Sequence, residues 1–137
     1  MIEIEKSIGF LLAKAYQRAC AIFKEEFGEE NLTPQQFGLL AFLWQKDGLS
    51  QTELSEKSQI DRTTMGGLID RLEKEGLVKR LPHPEDRRAY CICLTEKGKS
   101  LEKRLSPIAE RVIEKFTAKL TPVEHETLKQ ILEKLRR

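Results

Sequence analysis

Residues 50–94 read SQTELSEKSQIDRTTMGGLIDRLEKEGLVKRLPHPEDRRAYCICL, and their pattern decides the fold. Ser50 with Glu53 three residues on makes a capping box, and Leu49 with Leu54 makes the hydrophobic staple that accompanies one. A second helix start follows at Asp61, bracketed by Ile60 and Met65. The helix it opens, Asp61 to Glu75, carries Met65, Leu68, Ile69 and Leu72 at helical spacing, so one face is buried. At about 100° per residue the opposite face centres on Thr63, Gly67, Asp70 and Lys74, flanked by Thr64, Gly66 and Arg71. Each glycine costs a helix interior about 1 kcal/mol relative to alanine. On or beside that outward face, Gly66 and Gly67 bring no packing in return. Close approach of another surface to the backbone explains them; the bland alternative is a locally weak helix.

After Gly76 the period changes. Leu77 to Leu81 reads as a short strand, and Pro82-His83-Pro84-Glu85-Asp86 as a turn-prone loop. Ala89 to Thr95 alternates, with Tyr90, Ile92 and Leu94 on one face and Cys91 and Cys93 on the other. Two short helices and then a hairpin tipped by Arg87 and Arg88 make a winged helix-turn-helix.

Upstream, Thr33, Pro34 and Gln36 mark another helix start, with Leu32 and Phe37 as its staple. Phe37, Leu40, Ala41 and Trp44 are its expected buried face, and Gly48 its end. Residues 4–27 predict a long helix with two apolar stripes. One is Ile8, Leu11, Leu12, Ala15, Ala19, Ile22 and Phe23; the weaker one is Gly9, Ala13, Tyr16, Cys20 and Phe27. That is wider than one small core needs. Either a second copy of the chain covers it, or the last two helices do. Downstream, Thr95 caps a helix running to about Lys119, which Pro107 should kink. Thr121, Pro122 and Glu124 open a last helix carrying Leu128, Ile131, Leu132 and Leu135. The expected class is mainly α with a small β-hairpin wing, in one domain. Its dimerisation lobe is 1–30 with 100–137, and its winged-helix lobe is 32–98.

A chain of 137 residues has room for one real core. No apolar run approaches a membrane span and no leader is legible, so a soluble, cytoplasmic protein is expected. Three cysteines cannot all pair within one chain, and none has zinc-site spacing. The net charge of +2 is uneven: residues 1–56 carry −4, residues 57–104 carry +4 and residues 105–137 carry +2. The positive excess lies in the winged helix, which favours a nucleic-acid partner. His83 and His125 stand apart, with no nucleophile signature, phosphate loop or metal pattern beside them. The reading is not an enzyme, with no cofactor and no metal.

Leu54 through Gly98 resembles the MarR family of winged-helix transcriptional regulators. The resemblance rests on Leu72-Glu73-Lys74-Glu75-Gly76-Leu77-Val78, a basic residue at Arg80, Asp86-Arg87-Arg88, and Leu94-Thr95-Glu96-Lys97-Gly98. It implies a homodimer built by the first and last two helices and bound to double-stranded DNA at a pseudo-palindromic operator. It also implies that a small molecule, or oxidation in some members, changes the spacing of the two reading lobes, usually to relieve repression.

The expected DNA-binding residues follow from both readings. Ser50 and Gln51 face the DNA backbone, and Arg62, Thr63, Thr64, Gly66, Gly67 and Arg71 lie along the reading helix. By resemblance, Arg88 enters the minor groove, Asp86 orients it, and Arg87 adds a phosphate contact. Phe10, Tyr16, Phe37 and Trp44 offer aromatic surface to an effector, or are plain core. Cys20 lies on the helix where some family members carry a redox cysteine, but near it are Glu25 and Glu26 as well as Arg18 and Lys24, so no lowered pKa can be argued and a small buried residue is the simpler reading. A second functional class remains open: a winged-helix module that engages protein and not specific DNA.

Overall fold

The computed structural model describes Met1–Arg137 and realises each marked helix start. It divides into two compact units, residues 29–107 and residues 1–28 with 108–137.

The central unit begins with α2, Pro34–Gln45, whose capping box is complete: the Thr33 hydroxyl accepts from the Gln36 N–H, and the Gln36 side chain accepts from the Thr33 N–H. (α1, Ile8–Phe27, belongs to the other unit.) The short strand β1, Leu49–Ser50, leads into α3, Gln51–Ser58, through the reciprocal Ser50–Glu53 box. Helix α4 spans Arg62–Lys74 with Asp61 as its cap. It ends in a Schellman turn, in which Gly76 at φ 77° donates to the Glu73 carbonyl and Leu77 to the Leu72 carbonyl. Strands β2, Val78–Pro82, and β3, Tyr90–Leu94, form the wing, and α5, Glu96–Phe116, follows.

The sheet has three strands in the order β1-β3-β2, all antiparallel. Val78 pairs with Leu94 and Pro82 with Tyr90 across the hairpin, while Ser50 pairs with Cys91 on the other side. β1 is not expected from the sequence. It is held partly by Asp47, whose Oδ1 accepts from the Leu94 N–H at 2.8 Å and the Gly48 N–H at 2.9 Å.

The core comprises Leu39, Leu40, Leu43, Leu49, Leu54, Met65, Ile69, Leu72, Leu77, Val78, Ile92, Leu94, Leu101 and Leu105. Several sequence expectations shift here. The buried residues of α2 are Gln36, Leu39, Leu40 and Leu43, while Phe37, Ala41 and Trp44 are only half-buried. α2 is apolar almost all round, so periodicity could not choose its inner face. Gly48 does not end α2, which stops at Gln45; its positive φ of 78° serves the turn into β1. Leu68 is half-buried, and Tyr90 is exposed, not packed beside Ile92 and Leu94. Thr95 caps α5 as expected, its hydroxyl accepting from the Gly98 N–H at 3.1 Å, but the helix stops at Phe116.

In the terminal unit a 3-10 turn, Ile4–Lys6, precedes α1, so the α-helix itself starts after Ser7. Glu26 near its end takes Lys115 at 3.0 Å and Arg111 at 3.5 Å from α5. α6, Pro122–Leu135, opens on the expected Thr121–Glu124 box. Of the main stripe of α1 only Ile22 and Phe23 are buried; Ile8, Leu11 and Leu12 are exposed. α6 buries no residue at all. No helix is long and apolar enough to cross a membrane.

Candidate nucleic-acid interface

The reading helix α4 is fixed at three places. At its start, the Asp61 carboxylate accepts the Thr64 N–H at 2.8 Å and the Thr64 hydroxyl at 2.9 Å. These bonds, the backbone one first, hold the Asp61 carboxyl below its usual range. On its buried side Met65, Ile69 and Leu72 are sunk in the core. Along its flank runs Arg80 of β2, which the sequence marks only as a basic motif position. Its guanidinium meets Asp70 at 2.7 Å and Glu73 at 2.8 Å and donates to the Gly66 carbonyl at 3.4 Å, while its backbone N–H donates to Glu73. Asp70, expected on the centre of the outward face, is therefore partly spent on tying the helix to the wing.

The outward residues are placed as the sequence implies. Arg62, Thr63, Thr64, Gly67 and Arg71 are exposed, and Gly66 is half-buried. A Cβ at Gly67 would meet nothing within 4 Å, so nothing inside the chain requires a glycine there. A Cβ at Gly66 would sit 3.3 Å from the Gln51 side-chain amide, which itself reaches the Arg62 carbonyl at 3.5 Å. Gln51 thus links the start of α3 to the start of α4.

An open groove of about 560 Å³ brings Ser50, Gln51, Arg62, Asp86 and Arg88 together with Thr52, His83, Ala89 and Tyr90. Thr52, Ala89 and Tyr90 are not expected there from the sequence. His83, set between two prolines where β2 runs into the wing loop, reads from the sequence as a turn residue near DNA. Its Nδ1 accepts from the Glu85 N–H at 3.0 Å. Thr63, Thr64, Gly66, Gly67, Arg71 and Arg87 lie outside this groove. Ser50 is largely buried, its hydroxyl engaged in the cap, so its part is structural first. Asp86 accepts from the backbone N–H of Arg88 at 2.9 Å. It therefore shapes the wing turn; no ion pair joins it to the Arg88 guanidinium.

The remaining candidates are more scattered. Phe37 and Trp44 form an edge-to-face pair in the central unit with centroids 5.7 Å apart, and the Trp44 indole donates to the Gly98 carbonyl at 3.0 Å. Phe10 and Tyr16 lie in the terminal unit, where Lys14 rests over the Phe10 ring. Cys20 is half-buried beside Tyr16, whose phenol is pushed above its usual range chiefly by hydrogen bonding with that thiol. Cys93 on β3 is pushed up by burial and is a poor thiolate.

The MarR family model matches residues 32–90, the span from the residue before the cap of α2 to the first residue of β3. The chain is 34% identical over 97% of its length to the HTH-type transcriptional repressor NicR of Pseudomonas putida, covering 84% of that protein. The chain belongs to the MarR family. Among solved structures it is similar to BpsR of Bordetella bronchiseptica, whose DNA binding is regulated by 6-hydroxynicotinic acid. That match has a TM-score of 0.94 and 30% identity, and covers 99% of this chain and 97% of that one. It is also similar to the transcriptional repressor CouR bound to a 23-mer DNA duplex, with a TM-score of 0.90 and 30% identity, covering 98% and 96% of the two chains. The MarR family is one of transcriptional regulators and not of enzymes. In MarR terms, α3 and α4 are the helix-turn-helix and the β2–β3 hairpin is the wing.

Proposed function

We propose that this MarR regulator is a cytoplasmic homodimeric repressor that binds a pseudo-palindromic operator and leaves it on binding a small aromatic acid. The observation that carries the DNA reading is the groove that joins the starts of α3 and α4 to the wing, with Arg62 and Arg88 in it free of ion pairs. Beside it α4 presents Thr63, Thr64, Gly67 and Arg71 outward, with room at Gly67 for a base edge to approach the backbone. The Arg62, Arg71, Arg87 and Arg88 guanidiniums supply phosphate and base contacts, and Gln51 the neighbouring backbone contact.

Dimerisation is supported by the terminal unit, where Ile8 and Leu11 on α1 and Val123, Ile131 and Leu135 on α6 stand exposed. The dimer lobe would be residues 1–30 with 100–137. The effector class follows BpsR, and we assign to it the aromatic pair Phe37 and Trp44 of the central unit; Phe10 and Tyr16 belong to the terminal unit and are a separate candidate. We assign the signal to this molecule and not to oxidation of Cys20.

The test is selection of duplexes from random DNA, followed by titration with salt. An inverted repeat with half-sites about 10–10.5 base pairs apart, or a multiple, is expected, with affinity falling steeply as salt rises through counterion release. Salt-insensitive capture of protein with no enriched duplex would instead establish the protein-interaction reading.

A further inference from the structure

We propose that Thr64 reads DNA as a hydrogen-bond acceptor only, and so selects a base with an exocyclic amino group, adenine or cytosine, at one position of each half-site. The inference rests on α4 being the major-groove helix. Thr64 Oγ1 lies 2.9 Å from Asp61 Oδ2, while the Thr64 N–H occupies Asp61 Oδ1 at 2.8 Å. An ionised carboxylate only accepts, so the hydrogen between the two side-chain oxygens is threonine's. A hydroxyl has one proton and two lone pairs. With the proton committed to Asp61, Oγ1 offers a base edge lone pairs alone.

The major groove sorts bases by this property. Adenine N6 and cytosine N4 are donors, whereas guanine O6 and N7 and thymine O4 are acceptors. Lone pairs on Oγ1 attract the first set and repel the second. Reach is available: Thr64 is exposed, and Gly67, one turn along the same face, has open space where its Cβ would be. A short side chain can therefore approach a base edge without a neighbour holding the groove away. The adjacent Thr63 has no side-chain tether and carries no such bias.

Duplex selection with full-length wild type, Thr64→Val and Asp61→Asn tests this. Valine keeps the shape and removes the hydroxyl. Asparagine caps a helix as well as aspartate; its amide oxygen can take the Thr64 N–H while its nitrogen donates to Oγ1, which frees the hydroxyl proton. Wild type should favour adenine or cytosine at one half-site position by about tenfold. Thr64→Val should flatten that position alone, and Asp61→Asn should admit guanine or thymine there. An operator whose base at that position lacks its amino group should weaken wild type about tenfold and leave Thr64→Val unaffected. This second measurement decides the matter even if Asp61→Asn fails to fold. The proposal is overturned if no position responds to Thr64→Val, or if the responding position prefers guanine or thymine in wild type. An enriched palindrome insensitive to Thr64→Val overturns only the acceptor assignment; failure of wild type to enrich any duplex overturns the DNA reading as well.

Discussion

Gly67 and Gly98 are two helical glycines kept for opposite reasons. A Cβ at Gly98 would collide with the Leu77 carbonyl where α5 leaves the sheet. Gly98→Ala should cost about 1–3 kcal/mol in denaturant unfolding, because backbone cannot yield as a side-chain tip can. Gly67 has no neighbour to hit, so Gly67→Leu should leave stability unchanged or raise it by up to about 1 kcal/mol on helix propensity. The same substitution should harm operator binding far more than binding to random DNA, and unchanged operator affinity would remove α4 from the groove. For the wing, Arg88→Ala should weaken specific and random DNA alike and lower the salt slope by about one. Gly67 was legible in the sequence because its cost had no internal return; Gly66 was not, since a Cβ there would crowd the Gln51 side chain at 3.3 Å. The bond by which Asp86 meets Arg88 was not legible either. An Asx-type bond to a backbone N–H two residues on and an ion pair to that residue's side chain use the same residues at the same spacing.

At the scale of elements, helix starts were legible and helix faces less so. A capping box is a contact over three residues, so Thr33–Gln36, Ser50–Glu53 and Thr121–Glu124 can be read locally. The inner face of α2 and the existence of β1 are set by partners distant in sequence; Leu49 pairs with Ile92. Arg80 belongs here too, since it joins the wing strand to the reading helix. Arg80→Met keeps the stem but leaves Asp70 and Glu73 as facing carboxylates. A loss of about 1–2 kcal/mol is expected, with faster hydrogen exchange in the last turn of α4. Equal protection of that turn in both proteins would show that the ion pairs do not hold it. In the terminal unit the Lys115 hydrogen bond is the main cause that lowers the Glu26 pKa. A carboxyl lowered on folding stabilises above its unfolded pKa, and that contribution is lost as pH falls through the folded value. Wild type should therefore exceed Glu26→Gln in melting temperature at neutral pH and lose the advantage well below pH ~4, which paired thermal melts at both pH values would check.

For the whole molecule the deciding fact is how little the terminal unit buries by itself. Leu12, Leu132 and Leu135 line an open apolar notch with Lys129, Glu133 and Arg136, and α6 has no buried residue. Apolar helical faces of this kind need a partner. Sedimentation at micromolar concentration should give a dimer, and Leu132→Glu with Leu135→Glu should give monomers that still bind a single half-site weakly. Control by an effector then follows from linkage. A ligand shifts an equilibrium only by its difference in affinity for the two states. To release the operator it must bind the free dimer more tightly than the DNA-bound one, and the same factor must appear in both directions. A coupling of about 1–3 kcal/mol corresponds to a change of roughly 5–150-fold. Titrating 6-hydroxynicotinic acid and related aromatic acids by calorimetry, with and without saturating operator, measures that factor directly. Affinity for the effector should drop in the presence of operator by the same factor by which the effector weakens operator binding. Equal affinities would mean that the acid binds without switching, and the signal would then have to act elsewhere, with oxidation at Cys20 beside Tyr16 the next site to test.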